Sequence, residues 1–367
     1  MRGLPDALRK EWQRRIPSRW RIFLIAAIGG PLAAFLFAWS GIYNVAASRG
    51  HFRIVEWALA FVMGNSVQTH AALIKEPPLD DPNLLILGAS HFYTSCAPCH
   101  GGPGQQANAT LQNALPPAPD LHDTAERWKD REIYWIVRHG IKYTGMPAWP
   151  AQNRDDEVWA VVAFVKALPK LDAPRYRELA IGNLDPAAVE DLTIATCVSC
   201  HGGSNGLPRS NLVPILHGQS APYLALAMRE YASGRRHSGI MQPVASDVPP
   251  GAIDRLARQY ARLPPRRPEN PSFLFNIRDG ERLATEGMAN NAVPPCLSCH
   301  GPNALETYPR LAGQNPAYFV ARLKRYRDEK IDSTDGAAIM RPIAAKLSDQ
   351  QIQDLAAYFA ASGSPGR

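Results

Sequence analysis

The chain has 367 residues, 46% of them hydrophobic and 20% charged, with a formal net charge of +7 and six cysteines. The first 21 residues hold 7 basic and 2 acidic side chains, so they carry +5 of that charge and the remainder is nearly neutral. The basic balance is thus a topology signal, and it excludes a nucleic-acid-binding face as its cause. Residues 1–21 read as a basic cytoplasmic arm, because cationic flanks of a membrane helix stay on the cytoplasmic side. The uncharged run "IFLIAAIGGPLAAFLFAW" then extends from Ile22 to Trp39, inside an anchor segment placed at 22–45. Its 18 residues span about 27 Å as a helix, close to the hydrocarbon thickness of a bilayer. Gly29, Gly30 and Pro31 predict a kink in its middle. A cleaved signal peptide ending near "NVAAS" is the alternative, and the long basic flank favours an uncleaved anchor. Residues 46–82 follow as an interfacial or linker segment. "FRIVEWALAFVMGNSV", from Phe52, is apolar but contains Glu56 and is too short to span. It predicts either a helix lying in the interface with Trp57 at headgroup level, or one packed on the domain that follows.

All six cysteines fall in three C-x-x-C-H units: Cys96, Cys99 and His100; Cys197, Cys200 and His201; Cys296, Cys299 and His300. None is left for a structural disulfide. A zinc site wants four nitrogen or sulfur ligands, usually as two pairs brought together. A redox dithiol wants one C-x-x-C beside a βαβ pattern, and covalent haem attachment wants C-x-x-C-H. The last spacing has a physical reason. One helical turn puts both sulfurs on one side, each within reach of a haem vinyl group, and the next residue points an imidazole at the iron. Three copies that use every cysteine favour covalent haem c, three per chain.

A thioether is a common partner to histidine on haem iron, and it raises the reduction potential. Met146 in "TGMPAW", Met241 in "GIMQPVA" and Met340 in "AIMRPIA" lie 46, 40 and 40 residues after the motif histidines. Each has a proline one or two residues on, predicting a stiffened loop that presents the sulfur. Met228 and Met288 read as packing residues. His139 and His237 lie closest to the methionine loops and stand as reserve ligands, with a surface role the simpler reading. His217 sits where Ala312 stands in the repeat, which speaks against a ligand role.

The repeat extends beyond the motifs. Pro214, Leu216, Gly218, Gln219, Tyr223 and Tyr231 match Pro309, Leu311, Gly313, Gln314, Tyr318 and Tyr326. The first unit keeps only the fragment Pro119-Asp120-Leu121. Helices are predicted leading into each motif (83–94, 187–196, 279–289), after each G-Q turn (222–233, 316–329) and after each methionine loop. The last of these starts at Ser348, an N-cap residue. Its apolar positions Ile352, Leu355, Ala356 and Phe359 recur at three and four, so one face packs inward. Phe164, Tyr260 and Tyr358, at like distances after their methionines, are expected to pack on the helix leading into each motif. No strand-period run appears. Proline-rich joints at 75–82, 168–176 and 263–271 read as short, semi-stiff linkers.

These motifs resemble class I cytochromes c, small all-α haem domains. The stretch 191–362, with "PILHGQ", "MREYASGRR" and "IMQPVA" and their partners, resembles di-haem cytochromes c of the c-four type. The stretch 83–171 resembles a single-haem cytochrome c with a "GMPAW" methionine loop. The resemblance implies an all-α chain with one N-terminal transmembrane helix and three tandem domains, at 83–172, 173–264 and 265–367. It implies His100, His201 and His300 as proximal ligands and Met146, Met241 and Met340 as distal ones. It also implies that a proline carbonyl holds each proximal ring, the role of Pro214 and Pro309, with Pro119 the weaker match. Bacterial haem c is attached outside the inner membrane, so the resemblance places the haem domains in the periplasm.

The expected function is that of a single-pass, inner-membrane cytochrome that relays electrons in a respiratory chain. Its redox partners would be a dehydrogenase or quinol-oxidising complex and a terminal oxidase. The rival from another class is a multi-haem peroxidase. That chemistry needs one iron with a releasable sixth ligand, and three supplied methionines argue against it. A gas sensor would need a signalling domain, and none accompanies the motifs.

Overall fold

The computed structural model describes residues 18–46, 48–124, 126–182, 192–204, 206–268, 275–328 and 332–362. It divides into two compact units, residues 1–56 and 57–367. In the first, α1 (Ser18–Trp39) runs through Pro31 without a break. Its stretch Trp20–Trp39 has a mean hydropathy of 2.2, is long and apolar enough to cross a membrane, and has no residue buried. Helix α2 (Arg53–Ala71) buries Val67 and Ala71 near its C-terminal end. Trp57, Phe61 and Val62 on the same helix are exposed, and the Trp57 and Phe61 rings stack at 5.6 Å. Part of the helix is thus packed, and part presents bare apolar rings.

The second unit holds the three C-x-x-C-H regions, and among the described residues it contains helices and isolated bridges but no strand. In the first region, α3 (Pro82–His91) starts on an Asp81 cap with proline in its first turn. The chain then continues through a wide turn, Phe92–Cys96, into Ala97–His100. Helices α4 (Asp130–His139), α5 (Asp155–Ala167) and α6 (Ala173–Ile181) complete this region. The second region has α7 (Leu192–His201), α8 (Ala221–Ala232), α9 (Met241–Asp247) and α10 (Pro250–Ala261). The predicted start of α7, at 187, lies outside the described residues. The third has α11 (Ile277–Glu286), a short helix Leu297–His300, then α12 (Pro316–Asp328), α13 (Asp335–Ala344) and α14 (Asp349–Ala361).

Each region has its own apolar core, and each core joins the last helix of its region to the helices before it. Phe92 and Phe164 meet in the first at 4.9 Å. Leu224, Ile253, Leu256 and Tyr260 fill the second. Phe319, Ile352, Leu355 and Phe359 fill the third. The inward face predicted for α14 is fully buried: Ile352, Leu355, Ala356 and Phe359 are at most 2% exposed. Ser348 accepts from Gln351 N, and Gln351 returns a bond to the Ser348 backbone, so α14 opens on a capping box. Two mid-helix glycines let the crossing helices touch. A Cβ at Gly88 would lie 2.0 Å from Ala160 O, and one at Gly280 would lie 2.0 Å from Asp354 O. Only a residue without a side chain lets α3 meet α5, and α11 meet α14, this closely.

Helix α6 belongs by packing with the first region, so the structural boundary lies beyond the 172/173 expected from the sequence. Tyr176, Leu179, Ala180 and Ile181 are all part of its core, and Ser90 Oγ donates to Ala180 O at 2.8 Å. The proline-rich joint before it is not an open linker: Leu168–Lys170 forms a 3₁₀ turn, and Asp172 caps α6.

The second and third regions meet through their shared sequence frame. Gln219 Nε2 donates to Arg310 O at 2.7 Å, and its Oε1 accepts from Arg310 N at 3.0 Å. Gln314 makes the same pair with Ile215, at 3.1 Å to its O and 2.8 Å from its N. Ile215 and Arg310 occupy the same place in the repeat, directly after Pro214 and Pro309. The two G-Q turns therefore grip each other reciprocally.

Candidate functional site

The histidine of every motif is fixed by the same contact. His100 Nδ1 lies 2.8 Å from Pro119 O, His201 Nδ1 3.0 Å from Pro214 O, and His300 Nδ1 2.8 Å from Pro309 O. A carbonyl oxygen only accepts, so each Nδ1 carries the proton and each Nε2 is left with its lone pair. That is how a protein orients an imidazole towards a metal. The fragment at Pro119 is thus a full equivalent of the other two prolines. Burial lowers the pKa of His201, opposed by the Pro214 bond and assisted by His217. Burial likewise lowers His300, opposed by the Pro309 bond. Both effects favour the neutral ring that a metal requires.

The local fold differs among the motifs. Cys197, Cys200 and His201 all lie on α7. Cys96 ends the wide turn after α3, and Cys99 and His100 follow on the next helical turn. In the third region α11 stops at Gly287, and the motif rides on the separate helix Leu297–His300. All six cysteines are free of disulfides. Burial pushes the Cys96 thiol up to about 12, with a smaller contribution from Cys99. Burial also pushes Cys296 up to about 11 and raises Cys200. A redox dithiol needs a thiolate within reach of neutral pH, and burial works against that at Cys96, Cys200 and Cys296. Among the described residues, no three of His, Cys, Asp and Glu converge as a metal-binding group, so the zinc reading has no donor set there.

The three methionines are half-buried, and their settings differ from the loops expected. Met146 does lie in irregular chain, its N donating to Thr144 Oγ1 at 3.1 Å. Met241 instead opens α9, and Met340 lies inside α13. Pro243 is compatible with this because it falls in the first turn, where its missing N–H has no partner to lose. Met228 and Met288 pack against the second and third cores, as expected of filler residues. His237 Nδ1 lies 2.8 Å from Asn153 Nδ2 of the first region. His139 is exposed beside Trp135, at 5.1 Å between rings. His217 is buried, with Nε2 2.9 Å from Gly203 O.

The residues fit haem c on a further observation. Haem carries two acidic side chains, which need cationic donors when enclosed. The buried Nε atoms of Arg236 and Arg322 have no hydrogen-bond partner. Arg236 sits over the Tyr231 ring at 5.1 Å, and Arg322 over the Tyr326 ring at 4.4 Å. Tyr231 and Tyr326 are matched positions of the repeat, so each of the two later regions keeps an unspent guanidinium donor.

Comparison with known proteins agrees with this chemistry. Residues 85–165 match the family described as cytochrome c oxidase, cbb3-type, subunit III. Residues 278–362 match the cytochrome c family. A thiosulfate dehydrogenase electron acceptor from Thiomonas intermedia (strain K12) is 34% identical over 172 residues, 46% of this chain and 78% of that protein. Cytochrome c4 from Thiocapsa roseopersicina is 32% identical over 184 residues, 48% of this chain and 91% of that protein.

The chain belongs to the c-type cytochromes.

The cytochrome has a c4-like C-terminal region. A solved cytochrome c4 from Acidithiobacillus ferrooxidans is 28% identical and covers 45% of this chain and 98% of its own, with a TM-score of 0.41. Its relatives include an electron acceptor and cytochromes c4, and the cytochrome is an electron-transfer protein. The family matches support covalent haem c as its prosthetic group.

Proposed function

We propose that the cytochrome carries three haem c groups and relays electrons from a periplasmic dehydrogenase or quinol-oxidising complex towards a terminal oxidase, held to the inner membrane by α1. The observation that carries this reading is the repeated His–Pro contact at all three motifs. It leaves three equivalent Nε2 donors, each beside its own pair of cysteines. Cys96 and Cys99, Cys197 and Cys200, and Cys296 and Cys299 would bind the three groups through thioethers. His100, His201 and His300 would hold one side of each iron, and Met146, Met241 and Met340 the other. Bound haem iron supplies one-electron exchange between ferrous and ferric forms. The chain's part is to fix the imidazole tautomer, to offer a soft sulfur, and to shield both in part from water. The named relatives favour a dehydrogenase as donor, and the match of the first region favours an oxidase as acceptor. The basic arm and the apolar span of α1 support a cytoplasmic N-terminus with the haem regions in the periplasm.

The ligand set is tested by Met146→Ala, Met241→Ala and Met340→Ala, each made singly. Each should abolish one of three sulfur-to-iron charge-transfer signals in the near infrared, lower one reduction potential, and open one haem to carbon monoxide. Wild-type protein that binds carbon monoxide and turns over peroxide would contradict the relay. Co-purification from detergent extracts would identify the donor and the acceptor.

A further inference from the structure

The methionine segment of the second region is held by a carboxylate of the first. Glu157, in the first turn of α5, is 3% exposed, and both of its oxygens reach beyond its own region. Oε1 accepts from Ser238 Oγ at 2.6 Å, and Oε2 accepts from Gly239 N at 2.6 Å. Ser238 Oγ in turn accepts from Met241 N at 2.9 Å. A hydroxyl has one proton to give. Because Ser238 gives it to Glu157, its lone pairs face the backbone of Met241. Two hydrogen bonds thus connect a side chain of the first region to the main chain of the candidate iron ligand in the second.

The surroundings keep that carboxylate in place. Arg154 Nη1 lies 2.7 Å from Glu157 Oε1 and also donates to His237 O at 3.0 Å. A buried charge is tolerated when it is paired and hydrogen-bonded, and Glu157 has both kinds of support. Packing closes the contact from the other side. A Cβ at Gly239 would lie 2.0 Å from Trp149 Nε1, so the indole rests directly on the bare glycine backbone. Trp149 stands three residues after Met146, so the methionine segments of the two regions abut.

We infer that Glu157 is a positioning residue for Met241, acting through Ser238, so that the first region sets the distal side of the second iron site. The inference rests on the reading of Met241 as an axial ligand. It goes beyond that reading by making the ligand's geometry depend on a different part of the chain. Without the clamp, the Met241 sulfur is presented less firmly, and the ferrous form loses part of its advantage.

The test uses full-length haem-loaded protein in detergent. Met241→Ala and Met146→Ala first mark which spectral and potentiometric component belongs to each haem. Glu157→Gln and Ser238→Ala are then titrated with the near-infrared band as a second readout. Ser238→Ala removes one hydroxyl and leaves the Arg154–Glu157 pair intact, so it remains informative if Glu157→Gln does not fold. Both should lower the potential of the Met241-marked haem by about 59 mV, a tenfold change in a one-electron equilibrium. Both should weaken its sulfur-to-iron band and leave the Met146-marked haem as in wild type. If Met241→Ala alters one haem while Ser238→Ala and any folded Glu157→Gln leave that haem unchanged, the inference is overturned and the ligand assignment stands. The same holds if they shift only the Met146-marked haem. If Met241→Ala alters no haem, the ligand assignment fails and the inference falls with it.

Discussion

Truncating Gln314 should weaken the pairing of the second and third regions more than truncating Gln219, although the two residues match in the repeat. Gln314 Oε1 accepts from Ile215 N at 2.8 Å, and Nε2 donates to Ile215 O at 3.1 Å. Ile215 is 2% exposed, so Gln314→Ala strands a buried N–H and a buried C=O together. Each stranded group costs about 1–3 kcal/mol. Water entering the vacated space recovers part of that, so the expected loss is about 2–3 kcal/mol. Gln219 serves Arg310 in the same way, but Arg310 is exposed, and water can replace the lost partner. Gln219→Ala loses two such bonds, but water takes both places, so it should cost only about 0.5–1.5 kcal/mol. Urea unfolding of the haem-loaded protein, followed by circular dichroism, measures both losses. Equal losses, or a loss below about 0.5 kcal/mol for Gln314→Ala, would refute the assignment of these contacts as the grip between the regions.

Two further substitutions have expected signs. Ser348→Ala removes the cap of α14 and should cost about 1 kcal/mol in the same urea assay; no change would mean that the capping box contributes nothing. His91 is buried against Trp149, at 4.9 Å between rings, and burial lowers its pKa from 6.5 to about 4. Between those values the unfolded chain binds a proton that the folded chain refuses, so this residue's contribution falls as pH drops from 6.5 towards 4 and is flat above. The loss by pH 4 is about 3 kcal/mol, and a stability-against-pH series with His91→Gln should show a shallower slope over that window.

Much of the site was legible because its chemistry is carried by spacing. Cys-x-x-Cys-His, the methionines downstream and the helical periods of α5, α10 and α14 can each be read from short windows. The partners of the histidines came from the resemblance to class I cytochromes c, with the repeat marking the matching positions Pro214 and Pro309. Pro119 kept only a fragment of that frame, yet it makes the same bond. Contacts between regions were not legible. Gln219 and Gln314 stood out as repeated residues, but a side chain that crosses a boundary leaves no periodicity to show where it goes. Glu157 is one of three acids in the first turn of α5, a pattern that favours any helix N-terminus, and its partners Ser238 and Gly239 are 81 and 82 residues away. Gly88 and Gly280 did leave a signal, since a glycine inside a helical pattern opposes propensity and calls for a packing reason. The joint at 168–176 misled because proline opens helices as readily as it marks linkers, and Pro174 lies in the first turn of α6.

Three haems in one chain underlie the relay and the full ligand set, and the clamp on Met241 requires the second motif to be occupied. A pyridine haemochrome assay on purified protein, set against the chain concentration from amino-acid analysis, counts them directly. The account predicts three covalent haems per chain, retained on denaturation, with no free thiol among Cys96, Cys99, Cys197, Cys200, Cys296 and Cys299. A count of one or two in fully matured protein, or free thiols at any of the three motifs, would contradict it.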